Sequence, residues 1–285
     1  MIKKQSDEIL DISVVIPFKD KARMTIDCVQ SLIAYGPNVR EIILVSNNSS
    51  SEELFRIKEF SEPYTYIHIF EYNLPFNYQK MNNWAVKKSI GSTIMYLNND
   101  TELVEESRGL IEKMYKKSLE KDVGICGCLL LFGDKKTIQH GGVFLMPEGQ
   151  ADHMYASKKY ADVLANIGSE EYPYDIRKNM PMSSVTGAVQ VVSRNKLEKL
   201  DFMDEHFIIC GGDVDLCLRM NQHGYQTWFI GGGYILHKES QSRKHKPIPY
   251  SDFYWSYLSY VKGFDAKVGD PFLPKITKHM KIHGV

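Results

Sequence analysis

Residues 12–46, ISVVIPFKDKARMTIDCVQSLIAYGPNVREIILVS, contain a strand, a helix and a second strand in succession. The runs at 12–18 and 41–46 are rich in β-branched apolar residues and have the length of buried strands. Between them, residues 21–36 carry apolar side chains at helical spacing. Because a helix joins two strands that are apolar along their whole length, this segment predicts a parallel β-α-β unit covered on both faces.

The same alternation continues on the C-terminal side of this segment. We expect helices at 52–60 and 78–91 and strands at 64–70 and 93–97. Strands and helices that alternate with short loops predict a parallel sheet flanked by helices. The predicted fold class is therefore α/β, a single Rossmann-like domain with a mostly parallel central sheet.

The part of the chain beyond residue 100 predicts a more irregular half. Residues 146–182 are rich in Gly, Pro, Tyr and charge, and we expect them to form a long excursion. No linker separates two halves of the chain, which favours one continuous domain. The expected elements of this half are helices at 105–121, near 194–200 and at 213–224, and strands at 123–132, 137–145 and 185–193.

Composition excludes some classes of function. The chain has 285 residues, and its 35 Lys and Arg balance its 35 Asp and Glu, so nucleic-acid binding through bulk charge is not expected. The five cysteines include no C-x-x-C pair, which indicates reduced, buried thiols. The N-terminal residues lack the apolar core of a signal peptide, and no apolar run approaches the ~20 residues of a membrane helix. We therefore expect a cytoplasmic protein that is soluble or, at most, peripheral on the inner face of the cytoplasmic membrane.

Polar side chains follow three of the predicted strands at their carboxyl ends, where open α/β sheets bind ligands. None of these ends has the glycine fingerprint of a dinucleotide fold or a P-loop. They carry amides, hydroxyls and a carboxylate, which suit a nucleobase, a ribose and a metal-bound diphosphate. The candidate donor-binding residues at these ends are Pro17, Phe18, Lys19, Asp20, Ser46, Asn47, Asn48, Asn98 and Asn99.

Three further residues are candidates for chemistry. Asp100 follows a buried strand and can bind Mg²⁺ or Mn²⁺, although it can also cap the helix expected near 102–120. Asp213 begins a helix after two glycines, where an ionised carboxylate is favoured and a general base can act, although an N-cap is the alternative. His237 ends a short predicted strand and can bind a metal, although a single histidine is more often structural.

Seven blocks of the sequence resemble bacterial family 2 glycosyltransferases in their order, over nearly the whole chain. Within this family, the chain resembles the branch that builds rhamnose- or galactose-containing O-antigens and capsules. The blocks are ISVVIPFKDKARMTIDCVQSL, EIILVSNNSSSEE, NYQKMNNWAVKKSIGSTIMYLNNDTEL, TIQHGGVFL, VTGAVQVVS, GGDVDLCLRMNQHGY and YILHKESQSR.

This resemblance implies a GT-A fold and an inverting transfer from a nucleotide-diphosphate sugar. It places a divalent cation, Mn²⁺ or Mg²⁺, on Asp100 and His237, and it makes Asp213 the catalytic base. The donor is expected to be a UDP-, dTDP- or GDP-sugar. The resemblance also implies a GT-A domain over 1–245, divided into a nucleotide-binding half (1–100) and an acceptor and catalytic half (101–245).

Other polar residues match positions near the donor or the acceptor. Asn77, Lys80 and Asn83 match donor-side positions, although a solvated helix face is the alternative for each. The residues expected to support the site on its acceptor side are Gly187, Gly211, Gly212, Asp215 and Arg219. Ser46 stands where the family usually has an acidic residue that contacts the nucleotide, which leaves the nucleobase open. Asn98 and Gly212 replace the first acids of two acidic motifs.

The acceptor is expected to be a glycan or a lipid-linked glycan. Residues 153–184 carry aromatic side chains that can stack on sugars, although an ordinary surface excursion is the alternative. Residues 246–285 form an aromatic and basic extension that we expect to pack on the domain. Between 238 and 285, nine Lys and Arg face four Asp and Glu, a net charge of 9 − 4 = +5. This composition suits a membrane interface, and a packed helix with a solvated basic face is the alternative.

Two other classes of function remain open at this point. A sugar nucleotidyltransferase is disfavoured because residues 17–24, PFKDKARM, lack the glycines of a phosphate loop. A non-catalytic module that binds a nucleotide sugar or a glycan remains an alternative, because the two acidic motifs lack their first acids. A dehydrogenase is disfavoured by the missing dinucleotide fingerprint.

Overall fold

A computed structural model describes residues 8–238, 247–261, 263 and 269–276. Within them, ten strands form one sheet and two more form a separate hairpin. The strands are β1 (Ile9–Phe18), β2 (Asn38–Ser46), β3 (Ile67–Glu71), β4 (Thr93–Leu97), β5 (Thr101–Glu102), β6 (Val123–Phe132), β7 (Ile138–His140), β8 (Val143–Met146), β9 (Gln150–His153), β10 (Met180–Met182), β11 (Val189–Ser193) and β12 (Gln226–His237).

Eight α-helices flank the sheet in the described residues. They are α1 (Ala22–Tyr35), α2 (Ser51–Ser61), α3 (Tyr78–Val86), α4 (Leu110–Ser118), α5 (Tyr160–Ala165), α6 (Arg194–Lys199), α7 (Gly212–Gln222) and α8 (Tyr250–Tyr260).

The strands of the first hundred residues form the parallel part of the sheet. β1 pairs in parallel with β2 and β4, and β2 pairs in parallel with β3. Side chains alternate between two apolar clusters, so Val14 and Ile16 pack on one face of β1 while Val15 packs on the other. Burial on both faces explains why these strands are apolar without interruption.

The second half adds strands of both directions. β11 is antiparallel to β4 and β6, and β12 is parallel to β6. The order along the sheet is β10-β12-β6-β11-β4-β1-β2-β3, with β5 and β7 paired at its margins. The predicted α/β class with a mostly parallel central sheet is confirmed.

Several predicted elements of the second half were wrong in extent. The strand expected at 137–145 is divided into β7 and β8, because Gly142 adopts a positive φ of 111°. The helix expected at 105–121 is a 3-10 turn followed by α4, which begins after Gly109 with φ 72°. Of the strand expected at 185–193, only residues 189–193 form a regular strand, β11. The strand that ends at His237 was expected to be short and has twelve residues.

Part of the excursion expected at 146–182 packs into the core, while most of its residues are partly or fully exposed. Met154, Tyr155, Tyr172 and Ile176 pack with residues of β6 and β12 in a third apolar cluster. Burial of aromatic side chains removes apolar surface from water, so these tyrosines stabilise the fold rather than present flat faces to a ligand. The prediction that residues 153–184 supply aromatic contacts to an acceptor is not supported by this packing.

The C-terminal helix α8 packs against α7 and the hairpin of β8 and β9, where Tyr260 joins Val143, Leu145, Val214 and Leu218 in a small cluster. The boundary predicted at 245–246 lies outside the described residues. The same holds for seven of the nine basic residues of the predicted membrane interface, Arg243, Lys244, Lys246, Lys262, Lys267, Lys278 and Lys281. Within the described part of the chain, no helix combines the length and apolarity needed to cross a bilayer.

Candidate active site

A cavity of about 920 Å³ opens at the carboxyl ends of β1, β2 and β4. Its volume is at the upper end of the ~300–1,000 Å³ that is usual for small-molecule sites. The loops before β11 and α7, the end of β12 and one face of α8 complete its wall. The predicted site residues that line it are Pro17, Phe18, Lys19, Asn47, Asn98, Asn99, Asp100, Gly187, Gly211, Asp213 and His237.

Asp100 and His237 lie together on one side of the cavity. Nε2 of His237 is 3.1 Å from Oδ1 of Asp100, and the two residues are only 5% and 8% exposed, respectively. Strand pairing creates this contact: Thr101 of β5 faces His237 of β12, and the Lys238 N–H donates to the Asp100 carbonyl at 2.9 Å. Asp100 is not a helix cap, because Val104 and Gly109 hold the cap positions of the next two helical segments.

The Asp100–His237 pair has the features expected of a divalent-cation site completed by a substrate. Nε2 of His237 and Oδ1 of Asp100 are within hydrogen-bond distance. Their separation of 3.1 Å also matches two neighbouring ligands of one cation, which lie ~3.0 Å apart in an octahedral shell with bonds of ~2.1 Å. Nδ1 of His237 is buried without a hydrogen-bond partner among the described residues. No group of three or more metal-binding side chains occurs in those residues, so phosphates and water would have to supply the other ligands.

Asp213 is the second residue of α7 and is half-buried at the cavity wall. Its Oδ2 accepts from the Gly187 N–H at 2.7 Å, and its Oδ1 accepts from the Val214 N–H at 3.0 Å. Gly211 holds the cap position of the helix, so the N-cap alternative for Asp213 is wrong. The N–H groups of Gly187 and Val214 therefore fix the orientation of this carboxylate at the amino end of α7.

Tyr78 connects the region of Asp213 to that of Asp100. Its hydroxyl is 3.0 Å from Oδ1 of Asn98 and 3.2 Å from the carbonyl oxygen of Gly187. The Asn98 N–H donates to the Ala188 carbonyl at 2.9 Å, which bonds the end of β4 to the loop before β11. The sequence analysis missed Tyr78, because an aromatic residue that opens a helix carries no signal of its hydroxyl partners.

The two glycines before Asp213 allow the chain to pass between neighbouring helices. A Cβ on Gly211 would lie 2.5 Å from Oγ of Ser256 in α8, and a Cβ on Gly212 would lie 2.4 Å from the side chain of Gln79 in α3. The two glycines predicted to support the site therefore let the start of α7 pack closely between α3 and α8. Asp215, two residues after Asp213, faces away from the cavity and pairs with Arg219 at 2.8 Å.

The polar residues after β1 and β2 mostly organise loops. Nδ2 of Asn47 donates to the carbonyls of Tyr72 and Leu74 at 3.0 Å each. Oδ1 of Asp20 accepts from the Ser50 N–H at 2.8 Å, and Asn48 is exposed and contacts Leu74. Ser46 is buried in β2. Asp20, Ser46 and Asn48 do not line the cavity, whereas Lys19 lines it and has no hydrogen bond or ion pair within the described residues.

The three donor-side candidates of α3 do not line the cavity either. Asn77 caps α3 and donates to the Glu205 carbonyl at 2.9 Å, and Asn83 donates to the Met203 carbonyl at 2.9 Å. Both amides are buried, so the solvated-face alternative is wrong for them. Lys80 is exposed. The geometry gives Asn77 and Asn83 a role in holding residues 203–205 and places neither beside a ligand.

Gln139 and His153 also line the cavity and were missed by the sequence analysis. Nδ1 of His153 lies 3.1 Å from the carbonyl oxygen of Gln139. His140 is fully buried behind them, and its Nε2 accepts from the Thr186 N–H at 3.4 Å. Burial, together with the nearby His153 and His237, lowers the pKa of His140 well below its ordinary value, so this imidazole stays neutral.

The aromatic wall of the cavity comes from α8. Phe253, Tyr257 and Tyr260 line it, together with the polar residues Asp252 and Ser256 of the same helix. Burial, and then the nearby Asp213 carboxylate, raises the pKa of Tyr260 well above its ordinary value. The Tyr260 hydroxyl therefore stays protonated and donates to the Gly211 carbonyl at 2.8 Å.

Two solved structures with the same fold are glycosyltransferases. GalNAc-T7 with UDP, GalNAc and Mn²⁺ has a TM-score of 0.64 at 15% identity, covering 96% of this chain and 55% of that one. The mannosyltransferase PcManGT from Pyrobaculum calidifontis with GDP-Man and Mn²⁺ has a TM-score of 0.58 at 10% identity, covering 98% and 81%. At these identities the likeness concerns the fold, which is GT-A.

Two proteins are similar in sequence. The O-antigen biosynthesis protein RfbC of Myxococcus xanthus is 34% identical over 270 residues, which is 93% of this chain and 20% of RfbC. The uncharacterized protein y4gI of Sinorhizobium fredii is 26% identical over 245 residues, which is 84% of this chain and 25% of y4gI. The chain thus spans about a fifth to a quarter of the length of these relatives.

The family profile of glycosyl transferase family 2 matches residues 13–174. This range covers more than half of the chain and includes residues 13–18 of β1, all of β2 to β4, and Asp100. The chain belongs to glycosyl transferase family 2.

Proposed function

We propose that this protein is an inverting glycosyltransferase that moves a sugar from a nucleotide-diphosphate donor to a hydroxyl of a glycan acceptor. The observation that carries the proposal is the convergence of Asp100, His237 and Asp213 on one cavity. GalNAc-T7 with UDP and Mn²⁺, PcManGT with GDP-Man and Mn²⁺, and the O-antigen protein RfbC support the substrate class. Synthesis of O-antigen or a related surface polysaccharide is the proposed setting.

Asp213 is the proposed general base. The acceptor hydroxyl is a weak nucleophile, so a carboxylate must remove its proton as its oxygen bonds to the anomeric carbon. The bond from that carbon to the diphosphate oxygen breaks in the same displacement, and the proton ends on Asp213. Attack opposite the leaving group inverts the anomeric configuration. The N–H groups of Gly187 and Val214 hold the Asp213 carboxylate in place.

Asp100 and His237 are the proposed ligands of Mn²⁺ or Mg²⁺. Both side chains line the cavity, and Nε2 of His237 lies 3.1 Å from Oδ1 of Asp100, so a cation that replaces the proton between these two atoms can bind both. A divalent cation bound there would stabilise negative charge on the departing diphosphate as a Lewis acid. Lys19, which lines the cavity without a partner in the described residues, is placed to neutralise phosphate charge as well.

The donor nucleotide is proposed to lie along the ends of β1, β2 and β4. Pro17, Phe18 and Asn47 line this side of the cavity and leave room for a base and a ribose. Asn98 and Asn99 present amides beside Asp100, near the expected diphosphate. Asn99 is itself bonded to Thr25 Oγ1 at 3.0 Å, so its orientation is fixed before a ligand binds.

The mouth of the cavity favours an acceptor with an apolar part. Phe76, Ile248, Phe253 and Tyr257 all line the cavity and are at least 40% exposed, and we call them the apolar rim. A cavity that holds carboxylates and amides and carries an apolar rim suits an amphipathic acceptor such as a lipid-linked glycan. Peripheral contact with the cytoplasmic membrane through this face is part of the proposal. Co-sedimentation with anionic vesicles tests it, and absence of binding at low salt would contradict it.

A panel of UDP-, dTDP- and GDP-sugars with Mn²⁺ tests the proposed activity. We expect one donor to raise the melting temperature by mass action, because a ligand bound to the folded state stabilises it. Release of the free nucleoside diphosphate on addition of acceptor then separates an enzyme from a binding module. A protein that binds a donor and releases no nucleotide with any glycan acceptor would contradict the proposal.

A further inference from the structure

Residues 207–211, which we call the 207–211 loop, are separated from Asp213 only by Gly212 and lack helical or strand structure. Their N–H groups therefore have no partners in regular secondary structure. Three consecutive N–H groups of this loop, those of Ile208, Ile209 and Cys210, point to a single acceptor, the carboxylate of Asp252 in α8.

The contact between Asp252 and the loop is buried and close. Oδ1 of Asp252 accepts from Ile208 at 2.9 Å, and Oδ2 accepts from Ile209 at 2.8 Å and from Cys210 at 2.9 Å. Asp252 is only 1% exposed. Successive N–H groups of this kind form a concave, positively polarised site that favours an anion, and a carboxylate from another element satisfies it.

The loop is bonded on both of its sides. On the α3 side, the Tyr78 N–H donates to the Ile208 carbonyl at 2.8 Å. On the α8 side, the Tyr260 hydroxyl donates to the Gly211 carbonyl at 2.8 Å, in addition to the three bonds of Asp252. Asp213 follows only two residues after Gly211, so the position of its carboxylate depends on where this loop is held.

We propose that Asp252 is a positioning residue that sets the place of the Asp213 carboxylate by holding the 207–211 loop. The role rests on the proposed function of Asp213 as the base. The same helix also lines the cavity with Phe253 and Tyr257, so α8 fixes the spacing between the aromatic wall and Asp213. Displacements of ~1 Å at a reacting group can lower a rate ~10²-fold, which makes this spacing consequential.

Asp252→Asn is the test, because asparagine has nearly the same shape. It keeps one acceptor oxygen and turns an NH₂ donor toward the N–H groups of the loop. Glu41→Gln is the matched control: Glu41 is a buried carboxylate that accepts from Ser13 Oγ and the Ile90 N–H, in β2 and away from the cavity. Both substitutions are expected to lower the melting temperature, since both remove a buried charged acceptor.

Only Asp252→Asn is expected to change the reaction. Per folded molecule, we expect kcat to fall ~10- to 100-fold while the Kd of the nucleotide changes less than ~2-fold, because the donor binds at the strand ends. The fraction of donor lost to water instead of acceptor should rise. Glu41→Gln should keep the wild-type kcat and the wild-type ratio of transfer to water and transfer to acceptor. Equal kcat values in Asp252→Asn and the wild type, or an equal loss in Glu41→Gln, would overturn the proposal.

Amide hydrogen exchange separates this inference from the proposed function. Peptides that cover residues 206–216 should exchange faster in Asp252→Asn than in the wild type and unchanged in Glu41→Gln. A wild-type protein that transfers no sugar would refute the proposed function. Unchanged exchange in Asp252→Asn would refute the positioning role, whatever the activity of the wild type.

Discussion

Each carboxylate of the site has its own set of hydrogen-bond donors. Asp213 accepts from two N–H groups and stays half-buried, so one edge of the carboxylate can meet a substrate hydroxyl. Asp215, two residues on, is bonded to Arg219 and to Ser259 and is closed to the cavity. Two adjacent acidic positions on one helix therefore have separate roles because only one of them faces the cavity.

Replacement of Asp213 by asparagine tests the base directly. Asp213→Asn keeps the shape and removes the proton acceptor, so we expect turnover to fall by roughly 10²-fold or more with nucleotide affinity retained. Initial rates and nucleotide titration measure the two quantities. Asp162→Asn, an exposed carboxylate in the first turn of α5, serves as the control and should retain full activity. Full activity in Asp213→Asn would remove this residue from the base role.

The buried His140 makes stability sensitive to acid. In the folded protein its pKa is lowered well below 6.5, chiefly by burial. Below about pH 6.5 this histidine is therefore protonated in the unfolded chain and still neutral in the folded one. The free energy of unfolding should then fall with pH by at most ~1.4 kcal/mol per unit, until the folded pKa is reached.

His140→Gln should flatten this dependence. We expect the fall in melting temperature between about pH 7 and pH 5 to be smaller in the variant, because glutamine does not titrate in that range. His223→Gln, at an exposed histidine at the end of α7, is the control and should leave the dependence as in the wild type. The same dependence in His140→Gln and the wild type would show that His140 is not the responsible group.

At the level of elements, helix ends and strand ends supply the chemistry. α7 begins at the cavity between two tightly packed glycines, and β5 places Asp100 against the last residue of β12. Both arrangements require the backbone to approach another element closely. Such approaches explain why glycines and short strands, rather than long regular elements, surround the site.

The glycines at the two ends of α7 provide a matched pair of variants. Gly211 and Gly224 have positive φ values of 86° and 80°, so alanine at either position strains the backbone by about 1–2 kcal/mol. A Cβ at Gly224 meets nothing within 4 Å, whereas at Gly211 it lies 2.5 Å from Ser256 Oγ. Both variants should be less stable in denaturant titrations, and Gly211→Ala should be the less stable of the two.

The two variants should also differ in activity. Gly211→Ala pushes the 207–211 loop against α8 and should lower the transfer rate per folded molecule ~10-fold or more. Gly224→Ala should keep the wild-type rate, since it lies at the far end of the helix. Equal rates in the two variants would mean that close packing at Gly211 has no part in placing Asp213.

At the scale of the whole molecule, three distant segments meet at one cavity. β4 delivers Asp100, α7 delivers Asp213 and β12 delivers His237, and β11 lies between β4 and β6 so that the two halves share one sheet. This topology brings the carboxyl ends of the parallel strands beside the residues of α7 and β12 that line the cavity. A donor at the strand ends and an acceptor beside α8 would meet where Asp213 lies.

Removal of divalent cations tests this arrangement. We expect EDTA to abolish transfer and Mn²⁺ or Mg²⁺ to restore it. Without a cation on Asp100 and His237, the negative charge of the leaving diphosphate would not be stabilised. Stabilisation by UDP or GDP in thermal shift should likewise require Mn²⁺ in the wild type and be lost in Asp100→Asn. Asp162→Asn should behave as the wild type. Undiminished activity in metal-stripped protein would leave Asp100 and His237 without the proposed role.

Local patterns in the chain were sufficient for the parallel half of the sheet. Continuous apolar runs indicate strands that are buried on both faces, and apolar residues at helical spacing indicate helices with one buried face. These patterns predicted β1 to β4 and α1 to α3 in their order. Asn98, Asn99 and Asp100 were placed at the ligand-binding edge because carboxyl ends of parallel strands share one edge. Asp20, Ser46 and Asn48, predicted in the same way, do not line the cavity.

Packing between distant segments settled the rest. Asn77 and Asn83 turned out to hold residues 203–205, and the aromatic wall came from α8 instead of residues 153–184. An amide or an aromatic ring has the same sequence signal whether it meets a ligand, a loop or the core. Its partner is chosen by long-range contacts, such as the pairing of β5 with β12 that sets Asp100 beside His237, and these have no local pattern.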